Sequence, residues 1–291
     1  MPIKKVYLFA GLAVFFWSTV ATAFKLALRD YDFIQLIFYA TVVTVLLLFI
    51  FLVLQGKLGL VIQQTPKQLL NSMFLGALNP LLYYLILFKA YSLLPAQLAQ
   101  PLNMVWPITL ALFSVPLLGQ KIGWKSFAAL AISFVGVVFI SSQGGCSGFR
   151  NTNLTGVILA VGSSVIWALY WIFNVRDKRD PLVKLFMNFS FGLIYLIPVM
   201  YFFSDFQITL RAGFYAIIYV GIFEAGITYL LWLKAMELSS NNAKIGNLVF
   251  LAPFVSLIFI RFILKETIYI TTFIGLVFIV AGILVQQLDR K

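Results

Sequence analysis

The chain repeats itself, and the repeated unit holds an odd number of membrane-length apolar runs. Gly76, Tyr84, Leu85, Lys89, Ala90 and Leu93 recur as Gly221, Tyr229, Leu230, Lys234, Ala235 and Leu238, each 145 residues later. After a slip of one residue, Pro107 recurs as Pro253, Gln120 as Glu266 and Gly136 as Gly282. Each half carries about five runs long enough to span lipid, so a second copy of the unit enters the bilayer from the opposite side. Inverted units of this kind enclose a site near the bilayer midplane that can open to either face.

A mean hydropathy of +1.01 with only 10% charged residues excludes an ordinary water-soluble domain. The apolar runs fall near 6–28, 32–54, 69–88, 95–118, 122–141, 153–174, 182–204, 212–234, 243–263 and 267–287. As helix, each is long enough for a hydrocarbon core of roughly 30 Å. Lipid offers the backbone no hydrogen-bond partners, so the runs are expected to be helical. A closed barrel would show alternating segments of about ten residues, and these unbroken runs do not. The predicted fold is an all-α polytopic membrane protein of ten transmembrane helices in two inverted five-helix repeats, 1–141 and 153–291. The connector Ser-Ser-Gln-Gly-Gly-Cys-Ser-Gly-Phe-Arg-Asn-Thr-Asn, from Ser141 to Asn153, is rich in Gly and Ser and supplies a linker over 142–152. Asp180-Pro181 reads as a turn and helix-start signal for the seventh span.

The net charge of +12 is topological. With the amino terminus inside, Lys4, Lys5, Lys57, Lys67, Lys121, Lys125, Arg176, Lys178, Arg179, Lys184, Lys234, Lys244, Arg290 and Lys291 face the cytoplasm. Lys25, Arg29, Lys89, Arg150, Arg211, Arg261 and Lys265 lie at the outer ends. That excess sets the orientation, placing both termini in the cytoplasm of a cell-membrane protein; it does not call for a nucleic-acid partner. The first apolar run, although its Ala21-Thr22-Ala23 resembles a signal-peptide cleavage site, is too long for the core of a signal peptide and is expected to be retained. Its Trp17 aligns with Trp167 of the sixth span. The single cysteine, Cys146, forms no internal disulfide and belongs to no metal pattern.

The chain has no histidine, which removes His-ligated metalloprotease and serine–histidine chemistry. An aspartyl site needs two carboxylates in contact, and only one acid lies deep in a span. No Gly-x-x-x-x-Gly-Lys loop occurs, so ATP hydrolysis is not expected, and no cofactor is called for. The reading is not an enzyme.

Polar residues mark which spans line a cavity, because unsatisfied groups in hydrocarbon cost several kcal/mol. The first span carries Ser18, Thr22 and Lys25 beside Trp17, and the third Ser72, Gly76, Asn79 and Tyr83. The fourth carries Gln97, Gln100, Asn103 and Pro107, and the sixth Ser163, Trp167, Tyr170 and Asn174. The eighth carries Gly221, Glu224 and Thr228, and the ninth Lys244, Asn247 and Ser256. The second, fifth, seventh and tenth read as scaffold. Small and hydroxylated residues also serve simply to let helices pack closely. Pro80, Pro101, Pro107 and Pro253 remove backbone donors inside the third, fourth and ninth spans and invite kinks there.

Glu224 is the one carboxylate near the middle of a span, about 13 residues or roughly 20 Å of helix from Arg211. Such an acid faces water or a partner. It could be the counter-ion of a cationic substrate, a proton-coupling site, or a structural group bonded to Asn79, Tyr83 or a backbone carbonyl. Lys25 either snorkels to the outer interface or turns inward, where together with Glu224 it would suit a zwitterion such as an amino acid. Trp17, Tyr83, Trp167, Tyr170 and Tyr229 are candidates to stack on a planar or cationic ligand, although most aromatics in such a chain face lipid or the interfaces.

Trp17-Ser18 in a first span ending at Lys25, and the second-half run GIFEAGITYLLWLKAMELSSNNAKIGNLVFLAPFVSLIFIRFILKE, resemble the drug/metabolite transporter superfamily, EamA type. Pro253 in the ninth span and Glu266 after it match that pattern; Gln120, at the first-half position of Glu266, departs from it. The resemblance covers essentially the whole chain and implies ten helices in two inverted repeats around a cavity from spans one, three, four, six, eight and nine. It implies a secondary-active exporter of a small polar or amphipathic metabolite, amino-acid-like or cationic, working by alternating access. A facilitative carrier or importer of nucleoside- or sugar-type metabolites is the alternative, and a non-transporting channel or receptor the rival from another class. Glu224 stands where the family often has a small residue. The expected partners are a small-molecule substrate, the lipid bilayer and a coupling proton or ion; one chain holds both repeats, so no obligate protein partner is required.

Overall fold

The structure, a computed structural model, describes residues 3–118, 124–145, 151–238 and 247–287. Gln120, Lys121, Cys146, Arg150, Lys244, Asp289, Arg290 and Lys291 lie outside the described residues, as do the side chains of Lys4, Lys125, Glu237 and Asn247.

Among the described residues every regular element is helical. α1 spans Ile3–Ala27, α2 Phe33–Leu54, α3 Leu58–Ile62, α4 Pro66–Gly76, α5 Tyr83–Leu93, α6 Ala96–Asn103, α7 Trp106–Leu118 and α8 Trp124–Ser141. α9 spans Leu154–Arg176, α10 Pro181–Phe203, α11 Ala212–Phe223, α12 Ile227–Leu238, α13 Ala252–Phe259 and α14 Ile270–Gln287. Among the described residues six stretches are long and apolar enough to cross a membrane: Lys5–Ala27, Phe33–Leu54, Pro66–Leu93, Leu154–Asn174, Pro181–Phe203 and Ala212–Trp232. Phe127–Ser141, Leu248–Leu264 and Ile270–Val285 are shorter apolar helices. The fourth expected span is not one helix, because Met104 and Val105 form a turn between α6 and α7. Ten uninterrupted spans are therefore not what the described residues form; the interruptions of the third and fourth spans fall where Pro80 and Pro107 withdraw backbone donors. Large apolar side chains such as Phe49, Ile50 and Val53 on α2, Ile194 and Ile197 on α10, and Phe127 and Phe134 on α8 are exposed, as expected of a multi-pass protein whose outer faces meet lipid rather than water.

Helix starts follow the side-chain chemistry. Asp32 caps α2 by accepting from the N–H groups of Ile34 and Gln35, with the Gln35 side chain returning to the Asp32 N–H. Thr65 and Gln68 repeat that device at α4, behind Pro66. Asp180 caps α10, with Pro181 as its first residue.

The chain divides into two compact units, Met1–Leu85 with Asp177–Phe259, and Ile86–Arg176 with Ile260–Lys291. Each draws on both sequence halves. In the first unit α2 and α10 run antiparallel, for Gln35 meets Asp205 at one end and Lys57 meets Asp180 at the other. α4 runs parallel to α10, with Asn71 on Asp177 and Gly76 against Asn188 and Gly192. A Cβ on Gly76 would stand 2.5 Å from the Asn188 carbonyl oxygen, so only glycine permits that approach. α11 runs parallel to α2, with Gly213 on Asp30 and Gly221 under Thr44. Thus the third span leans on the seventh and the eighth on the second.

In the second unit α8 and α14 are antiparallel and nearly in backbone contact. A Cβ on Gly136 would lie 2.5 Å from the Gly275 carbonyl oxygen, and one on Gly275 equally close to that of Gly136. α9 runs parallel to α6 and α7 through Asn103 on Ser163 (2.8 Å) and Thr109 on the Ser164 carbonyl (3.1 Å). Glu266 accepts from the Ala96 and Gln97 N–H groups at the start of α6, at 2.9 and 3.2 Å, where a carboxylate suits the helix dipole. Gln97, expected on a cavity stripe, instead bonds the Thr267 carbonyl, the Tyr269 N–H and the Thr272 hydroxyl.

Candidate functional site

The third and eighth spans break near their middles. After α4 the third passes through a π-helical turn, Ala77–Leu82, in which Asn79 has extended backbone (φ −146°, ψ 117°) ahead of Pro80. Pro80 brings no N–H and clashes with the preceding turn, which accounts for the interruption. The eighth span stops at Phe223, turns through Glu224–Gly226 and resumes at Ile227. Asn79 and Glu224 are 145 residues apart, so the repeat spacing sets one break over the other. The fourth and ninth spans form a second such pair: Pro107 is the second residue of α7 after the Met104–Val105 turn, and Pro253 the second of α13 after a 3-10 turn at Asn247–Leu251.

Hydroxyl groups take up the carbonyls at the eighth-span break. Thr44 Oγ1 lies 2.8 Å from the Gly221 oxygen, and Thr228 Oγ1 donates to the Phe223 oxygen. Gly226 is needed for packing, since a Cβ there would stand 2.6 Å from both the Ile222 oxygen and Leu47. Glu224 is buried, 8% exposed. Tyr84 donates its hydroxyl to Oε1 at 3.1 Å, while Oε2 has no hydrogen-bond partner among the described residues. No lysine or arginine among the described residues forms an ion pair with it.

The partner of Glu224 is therefore Tyr84, whereas the sequence pointed to Asn79 or Tyr83. A stripe at Ser72, Gly76, Asn79 and Tyr83 presumes a continuous 3.6-residue helix; the π-helical turn adds a residue and moves the next position on that face to Tyr84. Tyr83 is buried, with its ring 4.8 Å from that of Tyr84. Asn79 is fully buried with neither amide atom bonded among the described residues. Thr228 is fully buried behind the break.

α1 completes this side of the first unit. It runs antiparallel to α11, with Phe16 stacked on Phe223 (4.5 Å), Thr19 bonded to Tyr219 (2.6 Å) and Asp30 on the Gly213 N–H (2.9 Å). Half-buried Trp17 meets Tyr229 edge-on at 6.2 Å and Trp232 at 5.3 Å. Lys25, half-buried, lies in the last turn of α1. By this register it stands level with about residue 216, some eight residues and roughly 12 Å of helix from Glu224. The structure does not bring the two charges together.

The remaining candidates belong to the second unit. Gln100 is buried in α6, and Asn103 donates to Ser163. Trp167 and Tyr170 are buried and stacked at 5.8 Å. Asn247 opens the 3-10 turn before α13, its side chain outside the described residues. Tyr84 and Trp232 were missed among the site candidates; the 145-residue spacing already paired Tyr84 with Tyr229 and Asn79 with Glu224.

A multi-pass helical protein with its deep acid at a helix break belongs to the class of membrane transporters, and the comparisons give the family. The model of the EamA-like transporter family matches residues 4–142 and again 154–286; the chain belongs to this family. An uncharacterized transporter of Archaeoglobus fulgidus is 25% identical over 293 residues, 96% of each chain. The uncharacterized transporter YvbV of Bacillus subtilis is 24% identical over 218 residues, 74% of this chain and 70% of its own. The aromatic amino acid exporter YddG of Ancylobacter novellus is 26% identical over 177 residues, 60% of this chain and 61% of its own. A solved crystal structure shares the fold at a TM-score of 0.67 and 20% identity, over 99% of both chains. These names are those of transporters rather than enzymes.

Proposed function

We propose that this protein is a secondary-active carrier that exports a small polar or amphipathic metabolite, amino-acid-like or cationic, by alternating access across the cell membrane. The observation that carries the reading is Glu224: a buried carboxylate at the unwound middle of the eighth span, with one oxygen unmatched. Unwound helix centres are where transporters bind substrates and coupling ions. Two further features support it. The repeat-equivalent pairs α2/α10 and α8/α14 run antiparallel, as two inverted five-helix units over 1–141 and 153–291 require. The one family model matches each half separately, and one relative is named an aromatic amino acid exporter.

In this reading Glu224 is the counter-ion or coupling group near the bilayer midplane. Asn79, Tyr83, Thr228, Trp17, Gln100, Asn103, Trp167, Tyr170, Asn247 and Lys25 are substrate-facing candidates. Both termini are cytoplasmic. The test is counterflow in proteoliposomes, where a carrier exchanges labelled for unlabelled substrate and a channel or receptor does not. Glu224→Gln is expected to lose exchange while expressing and melting as the parent does; undiminished exchange in that variant removes Glu224 from the mechanism.

A further inference from the structure

Deepening that reading, and resting on it, we infer that the Glu224 site takes an organic monocation, an ammonium carrying an apolar or aromatic arm, rather than a zwitterionic amino acid. Three observations in the first unit carry this. Glu224 Oε2 is buried and unmatched, and the neighbouring polar group that does reach the carboxylate, the Tyr84 hydroxyl, is neutral. A buried carboxylate without a countercharge is costly, and a bound cation supplies what the protein omits.

Next, the surroundings are aromatic. The Tyr83 ring lies 4.8 Å from that of Tyr84, and Tyr229 is in edge contact with Trp17, which meets Trp232. Ring faces carry negative potential and attract ammonium groups, most strongly for Trp and where water is excluded.

No lysine or arginine among the described residues pairs with Glu224. An α-amino acid bears its ammonium and carboxylate on one carbon, so a site that holds it through charged side chains needs an acid and a cation within one small pocket. Here Lys25 is roughly 12 Å along α1 from the Glu224 level. A molecule with a single positive charge fits the arrangement; one carrying a carboxylate beside its ammonium would set that group among rings and the Glu224 charge.

The experiment uses three ligands that share a phenyl ring: phenethylammonium (cation), phenylalanine (zwitterion) and 3-phenylpropionate (anion). Melting temperature and tryptophan fluorescence of the purified full chain report binding, and proteoliposome counterflow reports transport. The expected result is phenethylammonium binding at least about tenfold more tightly than phenylalanine, no propionate binding, and loss of the amine signal in Glu224→Gln. Glu224→Asp, which keeps the charge, retains amine binding, and Trp17→Leu weakens it about tenfold; these two variants decide the matter should Glu224→Gln fail to fold. Phenylalanine binding as tightly as the amine, or amine binding indifferent to both Glu224→Gln and Trp17→Leu, overturns the assignment even where counterflow proves a carrier. Amine binding with the expected variant pattern but no counterflow upholds the site and overturns the carrier reading.

Discussion

Arg179→Met is expected to unfasten one end of the first unit, and its cost can be worked from the contacts. Arg179 and Asp177 form an ion pair at 2.5 Å with their side chains 7% and 5% exposed. The guanidinium Nε donates to both Asp177 oxygens at 3.0 Å, Nη2 also to Ser72 Oγ at 2.7 Å, and Nη1 to Gln64 Oε1 at 2.7 Å. The cluster thus ties the 177–180 connector to the middle of α4 and to the segment before that helix. Methionine fills similar volume but leaves the Asp177 carboxylate buried beside Asn71 with its main countercharge gone. Breaking a buried pair from one side costs about 3–5 kcal/mol, which corresponds to a fall in Tm on the order of 10 °C.

Burial by itself would raise the Asp177 pKa; the hydrogen bonds and charge of Arg179, aided by Lys184, outweigh it and hold the carboxyl below its ordinary value. A depressed folded-state pKa contributes stability above the unfolded-state value, lost as pH falls through the folded one. The gap between wild type and Arg179→Met should therefore be full at pH 7 and close below about pH 4. Thermal melts of detergent-purified protein across that range measure it. Asp177→Asn with Arg179→Met should recover part of the loss, because the orphaned charge is gone. Equal melting of wild type and Arg179→Met at pH 7, or a gap that persists undiminished at pH 3, refutes the reasoning.

Asp180→Ala should lower stability by only about 1 kcal/mol, the worth of an N-cap, because its 2.8 Å pair with Lys57 is partly exposed and adds little. Burial raises the Asp180 pKa, but the Lys57 hydrogen bond and the Val183 and Leu182 N–H groups bring it below the ordinary value; this smaller gap likewise closes in acid, and the same melts read it. Gly136→Val pushes a Cβ to 2.5 Å from the Gly275 oxygen and should cost about 1–3 kcal/mol, seen as a lower melting temperature. Gly162→Ala, on a glycine with nothing within 4 Å, is its neutral control.

How much of this was legible depends on how far each inference relied on an unbroken helix. Composition and run length sufficed for an all-helical membrane protein, and Asp180-Pro181 announced the start of α10 because capping is a local affair. Glu224 stood out as the deep acid by counting residues from Arg211. Its partner did not: at Asn79 the chain leaves helical geometry, and every face prediction beyond that point is rotated. Gln97 shows the complementary failure. An amide on a polar stripe looks the same in sequence whether it faces a cavity or, as here, ties α6 to the segment before α14.

Sequence alone settled those properties that depend on transfer from water to lipid, because hydropathy sums along the chain without reference to neighbours: the helical class, the membrane residence and the doubled unit. Only the tertiary structure decided who meets whom. That the third span leans on the seventh and the eighth on the second, that Tyr84 rather than Tyr83 reaches Glu224, and that Lys25 stands two turns from it, all follow from interhelical register. Register is set by close backbone approach at residues such as Gly76 and Gly221 and by hydrogen bonds between segments far apart in the chain, and neither leaves a periodic trace in the order of the amino acids.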